Sequence, residues 1–413
     1  MLQLTDDQEK ALSDAVDWWR SGDDRPFLIR GYAGTGKTTT IETIVAQLTN
    51  KKPAYMAFTN KAARVLSSKV NNALYCGTIH SAIYFIIWHE AYEGALLKYE
   101  DLKEAIKACR DNPAQQKQLL EEKHRMIESR EVWSEWGLQD GFAWDRSFDG
   151  GAPVYDEIDD GGLIVVDECS MVRSDIGQDL LSLANDTGYR IIAVGDPGQL
   201  PPVVGKDYKG NPADVSFFTP GRCVCAPVLT QVMRQASDSN IIKAATWARQ
   251  GHSRLPWSGG FDELAILDRS ANVDPSAYDQ VICGRHLTRR NVNATTRRRL
   301  GRDGPPQPGD KMIFNKSKKS AGVINGDTFT VDKYDVASGV LSYRLDYKPD
   351  EICDIVINQP DYDDERELVS FAYAVTCHKS QGSEYGTVLL HNEAFCFRDD
   401  AHKWLYTGIT RAK

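Results

Sequence analysis

Gly31-Tyr32-Ala33-Gly34-Thr35-Gly36-Lys37-Thr38 has the spacing GxxxxGK[ST] of a phosphate-binding loop. Its glycines let backbone N–H groups turn inward around phosphate oxygens. The N-terminus of the helix expected to follow, beginning around Thr38 and Thr39, favours negative charge there. Lys37 is placed to reach the outer phosphates, and Thr38 to ligate Mg²⁺. Such a loop needs an acidic partner. Leu163-Ile-Val-Val-Asp167-Glu168 supplies one, an apolar strand ending in two carboxylates. One suits the metal's water shell and the other the attacking water. Ile191-Ile-Ala-Val-Gly195-Asp196-Pro-Gly-Gln199 ends a further apolar strand in a polar loop, where Gln199 could sense a terminal phosphate. Together these residues point to nucleoside-triphosphate hydrolysis. Read singly, a structural turn built on Asp-Pro-Gly is the lesser alternative, and Asp-Glu after a strand is a weak signal.

These residues need a parallel sheet to hold them. Asp6 to Arg20 has helical spacing, Pro26 to Arg30 is a short buried strand, and Ala54 to Phe58 is another. Strands alternating with helices predict an α/β fold with helices on both faces. A charged helical stretch and then a Trp-rich, turn-rich stretch break the pattern from about Ile83 to Asp160. A second α/β pattern starts near Val228, with strands expected at Ala265–Leu267 and Gln280–Cys283. Alternating residues and turn signals interrupt it, as in Thr328-Phe-Thr-Val-Asp-Lys-Tyr. It returns at Ser370-Phe-Ala-Tyr-Ala and Thr387-Val-Leu-Leu-His391.

The 413 residues are 41% hydrophobic and 26% charged, which excludes a disordered, collagen-like or coiled-coil chain. The longest apolar run, Ala82 to Trp88, falls far short of the roughly 20 residues of a membrane helix. The N-terminus lacks the features of a signal peptide, so a cytoplasmic location is expected. Nine scattered cysteines without a CxxC pair are read as reduced thiols. The net charge of −9 does not itself suggest a nucleic-acid partner. Locally the balance reverses: seven arginines and no acid lie between Arg285 and Arg302, and Lys311, Lys316, Lys318 and Lys319 follow. That stretch reads equally well as a phosphate track or a solvated basic face.

The ordered set Gln8, Gly31–Thr38, Ala57-Phe-Thr59-Asn60-Lys61, Thr78-Ile-His80-Ser81, Asp167-Glu-Cys-Ser170, Gly195-Asp-Pro-Gly-Gln199, Arg234, Thr376-Cys-His378-Lys379-Ser-Gln-Gly-Ser-Glu384 and Tyr406-Thr-Gly-Ile-Thr-Arg411 resembles superfamily 1 helicases. It is most similar to the RecD and Dda branch, superfamily 1B, which moves 5′ to 3′ on single strands. The resemblance runs from Thr5 to the last residue, broken by two insertions. It implies two RecA-like P-loop NTPase domains with parallel sheets, each carrying an insertion. Domain 1 would comprise residues 1–81 and 161–226, and domain 2 residues 227–310 and 369–413. Residues 82–160 would form a strand-separating pin or wedge, and 311–368 an SH3-like β module.

The resemblance also implies roles. Gln8 would read adenine, Lys37 and Thr38 hold phosphate and Mg²⁺, Asp167 assist the metal, Glu168 orient water, and Gln199 sense the γ-phosphate. Arg234 and Arg411 would be the two arginines supplied across the cleft, with Glu384 linking nucleotide to strand. Thr59, Asn60, Lys61, Thr78, His80, Pro201, Thr376, His378 and Lys379 would contact nucleic acid, and Trp133, Trp136, Phe142 and Trp144 are the stacking candidates at the junction. For those rings a small core of the insertion is an equal reading. The expected cofactors are ATP and Mg²⁺. The expected partners are single-stranded DNA, junctions with duplex DNA, and single-strand-binding, replication or recombination proteins, for a monomer without a membrane. By analogy the host is a bacterial or phage-infected cell. A translocase that remodels nucleoprotein or acts on RNA is the second reading, and a P-loop switch without nucleic acid the third. The sequence ends at Lys413, where similar proteins continue, so Arg411 is expected near a frayed end.

Overall fold

The structure is a computed structural model. It describes residues 4–70, 72–88, 142–146, 162–202, 215–232, 239–256, 259–260, 263–268, 271–318, 321–357 and 359–413, with scattered positions between 98 and 122. Two compact units emerge, Met1–Ile79 with Asp159–Lys413, and His80–Ile158.

In the larger unit, α1 (Asp6–Ser21) begins with a capping box. Thr5 accepts from the Gln8 N–H, and the Gln8 side chain accepts from the Thr5 N–H. Three acids in the first turn oppose the helix dipole, and Gly22 ends the helix in a left-handed conformation. Ala11, Ala15 and Trp18 recur at helical spacing and are buried. There follow β1 (Phe27–Arg30), α2 (Lys37–Leu48), β2 (Ala54–Ala57), α3 (Asn60–Ser67), β3 (Tyr75–Thr78) and α4 (Ile79–Ile83). The strands are short and almost wholly apolar, as strands covered on both faces must be.

In the smaller unit, β4 (Tyr84–Trp88) and β5 (Phe142–Arg146) form an antiparallel pair in which Trp88 stands opposite Phe142 and Ile86 opposite Trp144. Trp133 and Trp136 lie outside the described residues.

The parallel sheet resumes with β6 (Leu163–Asp167), α5 (Ser174–Asp186), β7 (Arg190–Gly195) and β8 (Val224–Cys225). Its order is β3-β2-β6-β7-β1-β8, parallel throughout. Ile29, Val165 and Val194 pack against Ile41 and Ile44 of α2 in one core. The C-terminal ends of β1, β6 and β7 therefore lie side by side, and each feeds a polar loop.

The second half holds α6 (Asn240–Arg249), β9 (Gly259–Gly260), β10 (Ala265–Ile266), β11 (Gln280–Cys283) and α7 (His286–Arg299). Then come β12 (Lys311–Phe314), β13 (Thr328–Asp335), β14 (Val340–Leu345), β15 (Lys348–Val356) and β16 (Val369–Phe371). The chain closes with β17 (Ala374–Thr376), β18 (Val388–Leu390) and α8 (Ala401–Ile409). Its parallel sheet has the order β17-β11-β18. The strand expected at Ala265–Leu267 does not join it. Ala265 and Ile266 instead pair antiparallel with Gly259 and Gly260. Leu267, the last residue of the expected strand, is 51% exposed and stays outside the pairing.

The alternating segment forms an antiparallel sheet, β15-β14-β13-β12-β16, around Phe314, Phe329 and Tyr343. The run from Ser370 to Ala374 is not one strand. Val369–Phe371 completes the antiparallel sheet, and Ala374–Thr376 enters the parallel one. Asn293, fully buried on α7, bridges the break. Its Nδ2 donates to the Phe371 carbonyl at 2.9 Å, and its Oδ1 accepts from the Ala374 N–H at 2.8 Å.

Candidate nucleotide and nucleic-acid site

The loop after β1 turns on Gly34 and Gly36, both at positive φ, 77° and 74°. A Cβ on Gly31 would come within 2.7 Å of Thr35 Oγ1, so only glycine fits the crossing. Gly36 is also the residue before α2, which points the helix N-terminus into the loop. Lys37 folds back, its Nζ donating to the carbonyls of Gly31 at 2.9 Å and Tyr32 at 3.0 Å. Gln8 is buried beside the loop, and its Nε2 donates to the Thr35 carbonyl at 3.1 Å. Its Oε1 is held by the cap of α1.

Asp167 ends β6 and accepts from the Glu168 N–H at 2.8 Å. Burial raises its carboxyl above the usual range, and the Lys37 cation works the other way. Glu168 sits at φ 50°, left-handed for a residue with a Cβ, a strain typical of functional positions. Burial and then the Asp167 charge push its carboxyl up to about 6, while Lys37 and Arg411 act to lower it. Its Oε2 is buried without a hydrogen-bond partner among the described residues, and so is Gln199 Oε1. Buried polar atoms seldom stay unpaired, so two of them in neighbouring loops mark a place for a polar ligand. The sheet thus brings Lys37, Asp167, Glu168 and Gln199 to one edge.

The second half closes on this edge. Tyr406 of α8 accepts from the Ala33 N–H at 3.0 Å. Arg249 of α6 lies over the Tyr32 ring, 3.3 Å from its centroid. Tyr406 opens the last sequence motif but was given no role there, and Arg249 was not singled out from sequence. Arg411 is not at a frayed end. It is 5% exposed, with Nε donating to the Thr407 carbonyl at 3.0 Å and Nη1 to the Ser383 carbonyl at 3.1 Å. Backbone bonds of Tyr385 with Arg411 and Lys413 pin the last residues and override the expectation of fraying. Glu384 is exposed, with Lys413 Nζ at 3.9 Å. Arg234 lies outside the described residues.

Thr59 caps α3 by accepting from the Ala62 N–H at 3.1 Å, leaving Asn60 exposed. Burial lowers the Lys61 ammonium, and it pushes Lys379 down to about 8. The Lys61 charge lowers Lys379 slightly further. Lys379 Nζ donates to Asn315 Oδ1. His378, lowered by burial, stands 5.6 Å from the Phe397 ring centroid. Thr78 is buried at the end of β3, Thr376 ends β17, and Pro201 follows the Gln199 loop.

The arginine-rich helix is largely neutralised from within. Arg285 pairs with Glu393, Arg289 with Glu365, Arg299 with Asp274, and both Arg297 and Arg302 with Asp310. Asp310 is fully buried and also accepts from Tyr373 at 2.8 Å and from the Gln307 N–H at 2.8 Å. The phosphate-track reading of this run therefore fails for the buried Arg289 and Arg297, whereas Arg285 and Arg299 stay exposed. Arg290 and Arg298 remain exposed.

Fold and site together define a P-loop NTPase fold in which a second RecA-like half docks on the phosphate loop. The family described as an AAA domain matches residues 3–269, and the UvrD-like helicase C-terminal domain matches residues 371–413. The chain belongs to that AAA-domain family.

The ATP-dependent RecD2 DNA helicase of Deinococcus radiodurans is 27% identical over 274 residues, 61% of this chain and 35% of that protein. The chain thus spans about a third of that relative's length. In fold it is similar to a Pif1 helicase from Bacteroides in complex with ADP-AlF3 and ssDNA, with TM-score 0.56 and 17% identity, covering 100% of this chain and 91% of that one. A Pif1 helicase from Candida albicans gives TM-score 0.50 at 17% identity, covering 100% and 92%.

Proposed function

We propose that the chain is an ATP-dependent DNA helicase that moves 5′ to 3′ on single-stranded DNA and parts the duplex ahead. The observation that carries the reading is the Glu168 carboxyl. Its Oε2 is buried without a partner among the described residues, and the carboxyl is raised to about 6, beside a phosphate loop touched by the second half. A carboxylate so placed suits a base that orients water for phosphoryl transfer. Gln199 would meet the γ-phosphate, and Arg411 with Arg234 would counter charge on it.

Mg²⁺ fits the donor set. Thr38 offers a hydroxyl and Asp167 a carboxylate, and no cluster of three or more His, Cys, Asp or Glu side chains occurs among the described residues. The ion would share the nucleotide's phosphates, as Mg²⁺ commonly does. It would supply charge neutralisation and orientation. Lys37 would hold the outer phosphates once released from the Gly31 and Tyr32 carbonyls.

Lys61 and Lys379, one from each half, would grip successive phosphates of the strand, with Thr59, Asn60, Thr78, His80, Pro201, Thr376 and His378 beside them. Such contacts position a strand without reading its bases. Phe142 and Trp144 on β5, with Trp133 and Trp136, would stack at the fork. The β module would clamp the strand, and Glu384 would link it to the nucleotide. The similar DNA helicases, one of them in complex with ssDNA, support single strands as the partner class. Among the described residues no helix is long and apolar enough to cross a membrane. A monomer in the cytoplasm of a bacterial or phage-infected cell is the setting proposed.

The test is ATP-driven unwinding of duplexes bearing either a 5′ or a 3′ tail, with Lys37→Ala as control. Unwinding from the 5′ tail alone, abolished in Lys37→Ala, is expected. Unwinding from the 3′ tail alone would overturn the polarity, and no stimulation of ATP hydrolysis by single strands would overturn the helicase reading.

A further inference from the structure

The loop that carries Gln199 belongs to the first half, yet several of its anchors come from the second. Asp196 is fully buried. Its Oδ1 accepts from the Gly198 N–H at 2.9 Å, which fixes the turn. Its Oδ2 accepts from the Tyr406 hydroxyl at 2.6 Å. That hydroxyl in turn accepts from the Ala33 N–H of the phosphate loop at 3.0 Å. Leu200, next to Gln199, donates its N–H to Thr407 Oγ1 at 3.1 Å, and its carbonyl accepts from Gln381 Nε2 at 3.3 Å. A Cβ on Gly198 would stand 3.0 Å from a Tyr406 ring carbon, so the turn is shaped to receive that ring.

We infer that Tyr406 is a positioning residue for hydrolysis, and that its hydroxyl makes the placement of Gln199 and of the phosphate loop depend on the second half being docked. This rests on the ATP-hydrolysis reading above. One oxygen joins two loops that must hold fixed positions about the same phosphates. It donates to a buried carboxylate on one and accepts from a backbone N–H on the other. Burial and the Asp196 charge raise the phenol well above its ordinary range, so the proton it donates stays on it. When the second half withdraws, Asp196 Oδ2 and the Ala33 N–H lose this partner together. A buried carboxylate without its donor is costly, so the loop must rearrange. Misplacing a group by about 1 Å in a phosphoryl-transfer site costs about a hundredfold in rate.

Tyr406→Phe keeps the ring and removes both hydrogen bonds. Three readouts apply. The KM for ATP should stay within about threefold while the single-strand-stimulated kcat falls by about tenfold or more, the pattern of a lost transition-state interaction. Amide hydrogen exchange at Gly198 and Leu200 should rise, with the amides of β7 unchanged. Tyr406→Phe combined with Asp196→Asn should be no slower than Tyr406→Phe alone, because the pair acts as one unit. The double variant also guards against misfolding, since it removes the stranded carboxylate. A kcat within about twofold of the parent, with unaltered exchange at Gly198 and Leu200, would overturn the inference and leave Tyr406 as packing. If the parent chain hydrolyses no ATP, the functional reading fails. The exchange result then decides separately whether Tyr406 holds the loop.

Discussion

At the residue scale the chemistry concentrates in Glu168. Its carboxyl has an ordinary value of 4.5 and stands at about 6 in the fold, chiefly through burial. The raised value means that the fold favours the protonated form. Stability from this group is therefore present below pH 4.5 and lost as pH rises through about 6. Glu168→Gln should stabilise the protein by on the order of 2 kcal/mol at pH 7, with the gain vanishing below pH 4.5. Thermal melts across that range check it. The same substitution should cut ATP hydrolysis by about a hundredfold or more while nucleotide binding persists. For the parent, kcat/KM should climb as pH rises through about 6, where the base of the free protein loses its proton. A flat profile there would remove Glu168 from the base role.

At the scale of elements, the decisive joint is where the antiparallel sheet hands the chain back to the parallel one. Asn293 of α7 ties the Phe371 carbonyl to the Ala374 N–H, and its Nδ2 also reaches Asp363 Oδ1 at 3.2 Å. Asn293→Ala would leave a buried donor and acceptor of the main chain unpaired. Each such group costs about 1–3 kcal/mol, so a loss of about 3 kcal/mol is expected in denaturant unfolding. A loss below about 1 kcal/mol would mean that the strands hold the joint unaided. The same helix shows how far a charge count can mislead. The arginines from Arg285 to Arg302 read in sequence equally as a phosphate track or a solvated face, and Glu393, Glu365, Asp310 and Asp274 pair with five of them.

At the scale of the whole molecule, the antiparallel sheet reaches back to the first half. Arg64 of α3 pairs with Asp327 and lies 4.2 Å from the centroid of the Tyr347 ring. Asp327 is nearly buried and also accepts from the Ile324 N–H at 3.0 Å, so its loss disturbs its own turn. A double-mutant cycle of Arg64→Ala and Asp327→Ala separates the two effects. A coupling of about 1–3 kcal/mol is expected, larger than an exposed pair gives, because Asp327 is desolvated. Coupling near zero would mean that the sheet docks on α3 without this bridge.

What the sequence by itself determined was local. The glycine-rich loop requires left-handed backbone at fixed positions, and Gly34 and Gly36 adopt it. Apolar runs ending in Asp-Glu or Asp-Pro-Gly dictate strands with polar loops at one end, and parallel pairing then brings β1, β6 and β7 side by side. Spacing of this kind acts through neighbours along the chain, so it reads directly. The tertiary structure alone decided which groups meet across long stretches of chain. Tyr406 reaches Asp196, Arg285 meets Glu393, and Arg64 meets Asp327, each pair separated by more than 100 residues. Arg411 was legible as a motif, but its burial was not, since Ser383 and Tyr385 supply the partners that hold it. Ion pairs and buried hydrogen bonds depend on distance in space, and no local dihedral preference or periodicity encodes it.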